Sequence, residues 1–388
     1  MPLRLDEKSD GEAEPQTPAG VSVPRKGAVR LMQLADVPAV ARLFLKIFRG
    51  VDKPANPDLE EYLRTLVLES PSYSEAMGTR LYEQQDGRIR SALLTVPMRF
   101  VACGNVVPGR LLGVFMTDAN KEAVGAAELI LALRPRGANF GFCDSASPTS
   151  CNHLLAIGGK PIPLQSLEWL RSFRPMSALV GRLAERVLRR RDPGFAALMR
   201  PVDVLLRRLV NGTDVQEPAG LSVTEMSVEA FLKHAPLLIA HYAVRPLWSE
   251  DELAWLVSLA ARNTQLGAFT IQAVEDLAGA VIGCFVYYAA PGRIAQVLNI
   301  LSLPGREIAV LDAMFRHLDH TGHVEARGRA QLALMRGLAL QRWLVFRHKA
   351  FAVAVTRSQD VSDAVARGDV YIGGLAGEDW SRLMHDFY

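Results

Sequence analysis

The stretch RLYEQQDGRIRSALLTVPMRFVACGNVVPGRLLGVFMTD (residues 80–118) decides the fold class of this 388-residue chain. RLYEQQ alternates polar and apolar residues, and Asp86-Gly87 is a hairpin turn whose glycine can take a positive φ. A long strand follows, and RLLGVFMTD is an apolar strand. Next, KEAVGAAELILALR (121–134) is alanine-rich and free of proline, which predicts a helix that begins near Lys121. ANFGFCDS (138–145) predicts a short buried strand, so the expected fold class is mixed α/β.

This order of elements resembles the core of the GNAT acyltransferases. In that family the loop between the fourth strand and the next helix carries R/Q-x-x-G-x-G/A, and its amides bind the pyrophosphate of coenzyme A. EAVGAA (122–127) matches at the glycine and at the last small residue, with Glu122 where the family has Arg or Gln. The resemblance implies binding of acetyl-CoA or another acyl-CoA, and it predicts that Gly125→Glu blocks this binding while the helix start tolerates the side chain. The implied contacts are the amides of Val124, Gly125, Ala126 and Ala127 and the main chain of Phe115 and Met116.

Candidates for catalysis come from the same resemblance. In the family a general base deprotonates the acceptor, and a Tyr on the helix after the fifth strand commonly protonates the leaving thiolate. Here that helix, SPTSCNHLLAIGG (147–159), has no tyrosine; Cys151 or His153 is the candidate replacement, with packing as the alternative role. Asp118 and Asp144 end the fourth and fifth strands, and each is a candidate base. Helix capping is the alternative role for such a carboxylate, and we favour it for Asp118.

The element order occurs twice along the chain. VRLMQLADVPAVARLFLKIF (29–48) and LSVTEMSVEAFLKHA (221–235) each predict a strand followed by a helix. Residues 268–303 form a second three-stranded meander, and the helical REIAVLDAMFRHLDHTG (306–322) follows it without a G-x-G/A loop. Farther on, SDAVARGDVYIGGLAGEDWSRL (362–383) is similar to the closing segment of some tandem GNAT-type proteins. Two GNAT-like domains are therefore expected.

Length and charge also indicate how the chain is divided. A chain of 388 residues is long for a single hydrophobic core, which favours two domains. The first 27 residues contain four prolines and no periodic apolar pattern, which predicts a disordered tail. From residue 171 to residue 210 there are ten arginines against three acids, on two amphipathic helical patterns. The expected divisions are a tail (1–27), an N-terminal GNAT-like domain (28–170), a basic amphipathic helical linker (171–215) and a C-terminal GNAT-like domain (216–388).

Composition limits the class of protein. A net charge of +3 and 49% apolar residues are typical of an ordinary globular protein. The four cysteines show no C-x-x-C spacing, which favours reduced thiols, and the N-terminus shows no apolar secretion signal, so a cytoplasmic location is expected. The longest uncharged apolar run, residues 277–290, is shorter than the roughly 18 residues that span a bilayer. The sequence contains no Walker loop, G-x-G-x-x-G or nucleophile elbow.

Metal binding is not expected. His317, His320 and His323 lie at a spacing of three residues, which distributes them around a helix instead of placing them on one face. We therefore predict no metal site.

The basic segment leaves three interpretations open. It can be a linker that packs the two domains together with a solvated arginine face. It can be a surface for an anionic membrane or a polyanionic glycan carrier. Nucleic acid is the least favoured partner, because no aromatic stacking pattern or known recognition motif accompanies the arginines.

The resemblance implies acyl transfer from an acyl-CoA, acetyl-CoA above all, to an amine or hydroxyl on a small molecule or glycan. The alternative is a non-catalytic scaffold or regulatory protein that has lost cofactor binding. Glu122, the missing tyrosine and the loop-less second copy are the features that favour this alternative. The acceptor cannot be inferred from residue patterns, since variable loops form acceptor pockets in this family.

Replacing Arg189, Arg190 and Arg191 by Gln tests the membrane interpretation. Each arginine contributes about 1 kcal/mol of attraction near an acidic bilayer, so the variant is expected to co-sediment less with anionic liposomes in low salt. Its melting temperature should stay that of the wild type. Wild-type protein that does not sediment with such liposomes would exclude the membrane interpretation, and earlier melting of the variant would assign these arginines to domain packing.

Overall fold

The computed structural model describes residues 27–118, 125–176 and 220–387. The predicted tail as far as residue 26, residues 119–124 and residues 177–219 lie outside this part of the chain. The last range contains most of the predicted basic linker and the first four residues of the predicted C-terminal domain. Within it, two mixed sheets carry helices on their faces. The mixed α/β class is therefore confirmed.

The strands of the described residues form one eight-stranded and one seven-stranded sheet. In chain order they are β1 (Gly27–Leu31), β2 (Arg80–Gln84), β3 (Ile89–Ala102), β4 (Asn105–Thr117), β5 (Phe140–Ala146), β6 (Lys160–Pro161), β7 (Leu167–Ser172), β8 (Ser222–Glu225), β9 (Val244–Pro246), β10 (Ala268–Glu275), β11 (Val281–Ala289), β12 (Ile294–Ser302), β13 (Glu325–Arg329), β14 (Leu344–His348) and β15 (Phe351–Val355). The first sheet has the order β1-β2-β3-β4-β5-β15-β6, with β9 paired to β3, and the second has the order β14-β7-β13-β12-β11-β10-β8. Neighbouring strands are antiparallel except for the parallel pairs β4–β5 and β12–β13.

Helices cover both faces of the first sheet. The helices of the described chain are α1 (Val37–Phe44), α2 (Pro57–Leu68), α3 (Ala126–Ala132), α4 (Pro148–Ala156), α5 (Val228–Leu238), α6 (Glu250–Ala261), α7 (Glu307–His320), α8 (Met335–Ala339) and α9 (Gln359–Ala366). α1 continues into a π-helical turn, Leu45–Arg49, and packs with α2 in the large core, whereas α3 and α4 pack in a separate apolar cluster. The helix predicted over residues 306–322 is confirmed as α7, which packs on β11 and β12. None of the described helices is long and apolar enough to cross a membrane.

Each sheet contains a strand from the other half of the chain. β7 lies in the second sheet, where it pairs with β13 and β14, and β15 lies in the first sheet, between β5 and β6. The expected boundary at residue 170 falls inside β7. Neither sheet is therefore complete without residues from the opposite half.

Trp169 anchors β7 in the second sheet. Its side chain is completely buried, its indole nitrogen donates to the carbonyl of Arg329 at 3.1 Å, and its ring meets that of Phe315 edge-on at 5.4 Å. The facing residue on β13 is Gly328, where a Cβ atom would lie 2.7 Å from the indole. A glycine is required here because the tryptophan ring lies against the bare backbone.

Truncating this anchor should destabilise the protein strongly. For Trp169→Ala we expect the free energy of unfolding to fall by about 3–5 kcal/mol, the usual cost of removing a fully buried aromatic side chain. Denaturant titration measures the change, with Trp343→Ala as the matched control because Trp343 is 56% exposed. Equal losses in the two variants would contradict an anchoring role for β7.

Candidate functional site

A gap opens between β4 and β5 in the first sheet. The two strands pair only as far as Leu111 and Phe142, and residues 112–117 of β4 continue with β3 as their ladder partner. A register shift between Leu93 and Thr95 of β3 marks a bulge at the same level. Such bulges redirect backbone groups beside functional sites. A cavity of about 240 Å³ lies at this gap.

The cavity passes through the plane of the sheet. On one face its walls include Leu112, Ile130 and Leu154, which belong to the apolar cluster of α3 and α4. On the other face they include Phe44 and Leu383, which belong to the large core. The remaining wall residues are Phe48, Arg49, Leu93, Gly113, Val114, Phe115, Cys143, Ser145, Ala146, Ser147, Ser150, Glu378 and Met384. The cavity is therefore lined from both faces of the sheet.

The carboxyl group of Glu378 spans the gap. Ser145, on β5, donates a hydrogen bond to Oε2, while Oε1 lies 3.0 Å from the position that a Cβ atom on Gly113 of β4 would take. Only 5% of Glu378 is exposed. The pKa of Glu378 is raised to about 8: burial is the main cause, the bond from Ser145 opposes it, and the nearby carboxyl groups of Asp144 and Asp379 add to it. A carboxyl group with this pKa can take up or release a proton near neutral pH.

Asp144 holds the main chain that carries Glu378. Its Oδ1 accepts from the backbone N–H of Glu378 at 3.2 Å, and a Cβ atom on Gly377 would lie 2.0 Å from its other oxygen. Burial raises the pKa of Asp144. The candidate base at the end of β5 is therefore placed behind the cavity wall, where it positions the segment and does not line the cavity itself.

Asp379 fixes the same segment through ion pairs. Its carboxylate accepts from Arg329 at 3.2 Å and from Lys349 at 2.6 Å. Burial alone would raise the pKa of Asp379, but the charges of Lys349 and Arg329 outweigh it and hold the pKa below its usual range. Arg329 ends β13, and Lys349 lies between β14 and β15, so the ion pairs tie the residue next to Glu378 to β13 and to the turn before β15.

Asp118 and His153 lie near the gap without lining the cavity. Asp118, at the end of β4, pairs with Lys46 at 2.8 Å and with Arg90 at 3.3 Å. His153, on α4, stands edge-on to the ring of Phe115 at 6.1 Å. Its Nδ1 atom is buried, and no residue in the described part of the chain provides a hydrogen-bond partner for it.

The residues that the resemblance assigns to CoA binding differ in their position relative to the cavity. Phe115 lines the cavity, Met116 is buried and pairs with Ala92, and Val124 lies outside the described residues. Ala126 and Ala127 form the first turn of α3, the former buried and the latter exposed.

The expectation that Gly125 tolerates a side chain is wrong. Gly125 precedes α3 with φ +80°, and a Cβ atom there would lie 2.0 Å from the ring of Tyr82. A larger residue would strain the backbone and displace the tyrosine, so Gly125→Glu cannot separate CoA binding from folding.

The equivalent gap in the second sheet is filled by the chain itself. β12 and β13 stop pairing at Gln296 and Arg327. Beyond that point Asn299 donates to the hydroxyl of Tyr371 at 2.5 Å and accepts from the amide of Leu375 at 3.0 Å. The segment that carries Glu378 into the first gap therefore occupies the second gap on its way.

The sequence marks the closing segment but gives little sign that Glu378 and Ser145 meet at the cavity. Glu378 and Ser145 are 233 residues apart, and no local spacing connects them. The run GGLAG (373–377) before two acids was the available signal, since glycines allow close packing against another strand. Ser145 follows Asp144 directly in the sequence, and a carboxylate is the more obvious candidate for a base.

Comparison with known proteins gives a likeness of fold. No protein-family model matches the chain, and no curated protein matches it by sequence. A conserved protein of unknown function from Enterococcus faecalis V583, described as a probable N-acyltransferase, matches with a TM-score of 0.54 and 10% identity over 86% of this chain and 74% of that one. A GCN5-related N-acetyltransferase from Anabaena variabilis matches with a TM-score of 0.53 and 11% identity over 84% and 72%. Saccharomyces cerevisiae N-myristoyltransferase matches with a TM-score of 0.48 and 11% identity, over 90% of this chain and 86% of that one.

The chain thus has a GNAT-type fold, as the order of its elements predicted, and the two sheets fit tandem domains.

Replacing Glu378 by Gln should change how stability depends on pH. Since the pKa of Glu378 is about 8 in the folded protein and near 4.5 otherwise, the folded state holds its proton more tightly and loses stability as pH rises between these values. We expect Glu378→Gln to melt several degrees above the wild type at pH 8.5, and by less at pH 5. Glu250→Gln, at an exposed glutamate on α6, is the control. A difference that does not vary with pH would contradict the raised pKa.

Proposed function

We propose that this protein transfers an acyl group from an acyl-CoA, acetyl-CoA being the first candidate, to an amine or hydroxyl of a small molecule. The observation that carries the proposal is the carboxyl group of Glu378, held across the gap where β4 and β5 separate. The gap combines a cavity, a buried carboxyl group that can accept a proton, and residues 112–117 of β4, which do not pair with β5. The reaction requires these three elements together with a positioned donor.

The acyl donor fits the face of the sheet that carries α3 and α4. Phe115 on the cavity wall and the backbone of residues 112–117 border the gap from this side. We assign the CoA moiety to the main chain of Phe115 and Met116 and to the amides of residues 124–127, on the strength of the family resemblance. The bound acyl-CoA would supply an activated thioester, and the chain supplies its position beside Glu378.

Glu378 is proposed as the general base. An attacking amine must lose a proton as its bond to the carbonyl carbon forms, and an ionised Glu378 can accept that proton. A pKa of about 8 makes the carboxylate a stronger base than an exposed glutamate, although Glu378 is then protonated in most molecules at neutral pH. Asp144 is assigned the role of holding Glu378, and Asp118 and His153 remain candidates for contacts beside the cofactor.

We assign the activity to the first half alone. The second gap is occupied by Tyr371 and the residues that follow it, and the second half lacks a G-x-G/A loop. Its role is then structural, because it provides β15 and the closing segment that completes the first site.

Calorimetry with acetyl-CoA and release of free CoA test this proposal together. Wild-type protein should bind acetyl-CoA and release CoA when a primary amine is added. Glu378→Gln should keep its dissociation constant for acetyl-CoA within about 3-fold and lose roughly 100-fold or more in turnover, the usual effect of removing a general base. In the wild type, turnover should rise with pH through about 8 as Glu378 ionises.

Glu250→Gln is the matched control, with binding and turnover equal to those of the wild type. If acetyl-CoA and longer acyl-CoAs do not bind, the proposal fails and the non-catalytic alternative takes its place. If acyl-CoA is consumed equally by Glu378→Gln, the site is retained but the assigned base is wrong.

A further inference from the structure

Acyl transfer from a thioester produces a thiolate that must receive a proton. The helix after the fifth strand, α4, contains no tyrosine to provide it. Among the described residues, the cavity wall has three serine hydroxyls, on Ser145, Ser147 and Ser150. Ser147 caps α4 by accepting from the amide of Ser150 at 3.2 Å, and its hydroxyl also bonds the hydroxyl of Ser150 at 3.1 Å. Ser145 differs from both because its hydroxyl is bonded to a buried carboxyl group.

The position of Ser145 is fixed by the opening of the sheet. It lies on β5 three residues beyond Phe142, the last β5 residue that pairs with β4. The Glu378 carboxyl that it contacts directs its other oxygen toward Gly113 on the opposite strand. A thioester placed in the gap would therefore lie beside both groups, the Glu378 carboxyl and the Ser145 hydroxyl, which are hydrogen-bonded to each other.

We propose that Ser145 protonates the sulfur of the departing CoA and is itself reprotonated by Glu378, a role that rests on the acyl transfer proposed above. The amine nitrogen forms a bond to the carbonyl carbon and gives its proton to the Glu378 carboxylate. The carbon–sulfur bond breaks, and its electron pair stays on sulfur. Ser145 passes its hydroxyl proton to that sulfur, and the protonated carboxyl group turns to return a proton to the serine oxygen. The products are the amide and neutral CoA thiol, with no net uptake of protons.

The hydrogen bond between Ser145 and Glu378 is not needed to hold the closing segment in place. The backbone of Glu378 is already bonded to Asp144, and the neighbouring Asp379 pairs with Arg329 and Lys349. The segment thus has its anchors in the main chain and in the next side chain. This leaves the carboxyl group of Glu378 available for proton exchange with Ser145.

Steady-state release of CoA from acetyl-CoA, with n-butylamine as the acceptor, tests the role of Ser145. We expect Ser145→Ala to lower kcat about 100-fold, the low end for removal of a proton-transfer group, with KM for acetyl-CoA and the melting temperature nearly unchanged. Ser145→Thr keeps a hydroxyl and should recover most of the lost turnover. Ser258→Ala, at an exposed serine on α6, is the control for loss of a hydroxyl and should match the wild type.

The outcomes separate this inference from the proposed function. Wild-type turnover with an equally active Ser145→Ala overturns the inference and leaves acyl transfer standing. A Ser145→Thr variant that is as impaired as Ser145→Ala and melts early overturns it in favour of a packing role. Wild-type protein that neither binds acetyl-CoA or longer acyl-CoAs in calorimetry nor releases CoA from them overturns both.

Discussion

The exchange of β7 and β15 is the constraint on which the rest of the structure depends. β15 runs antiparallel to β5 with Phe351 opposite Ala146, so the residues just before it, which include Lys349, lie at the open end of the first sheet. β7 inserts beside β13, whose last residue, Arg329, pairs with Asp379. Asp379, next to Glu378, is therefore anchored by Lys349 just before one exchanged strand and by Arg329 on the neighbour of the other.

The closing segment also makes the gaps in the two sheets different. Tyr371 and Leu375 satisfy Asn299 inside the second gap, and Glu378 reaches the first gap a few residues later. One stretch of chain thus fills the gap in the second sheet and places Glu378 in the gap of the first. The glycines between these points allow this course, since Gly374 has φ +57° and Gly377 packs directly on Asp144.

Local patterns predicted the fold well because hydrophobic periodicity and turn residues act over short distances. The hairpin at Asp86-Gly87 and the helix at residues 306–322 were of this kind, and both are present. Periodicity cannot say which sheet a strand joins, so β7 and β15 were not assigned to opposite sheets. The candidate site was predictable only in outline: Asp144 was identified, whereas the pairing of Ser145 with Glu378 depends on tertiary contact between distant segments.

Strand exchange has a consequence for the order of folding during synthesis. Residues 27–146 leave the ribosome long before residues 351–379, yet the first sheet keeps an unpaired β5 edge until β15 arrives. Exposed strand edges of this kind favour pairing with other chains, and contacts across more than 200 residues form slowly. The nascent protein is therefore expected to expose the β5 edge until residues 351–355 have been synthesised, and Glu378 can contact Ser145 only after that.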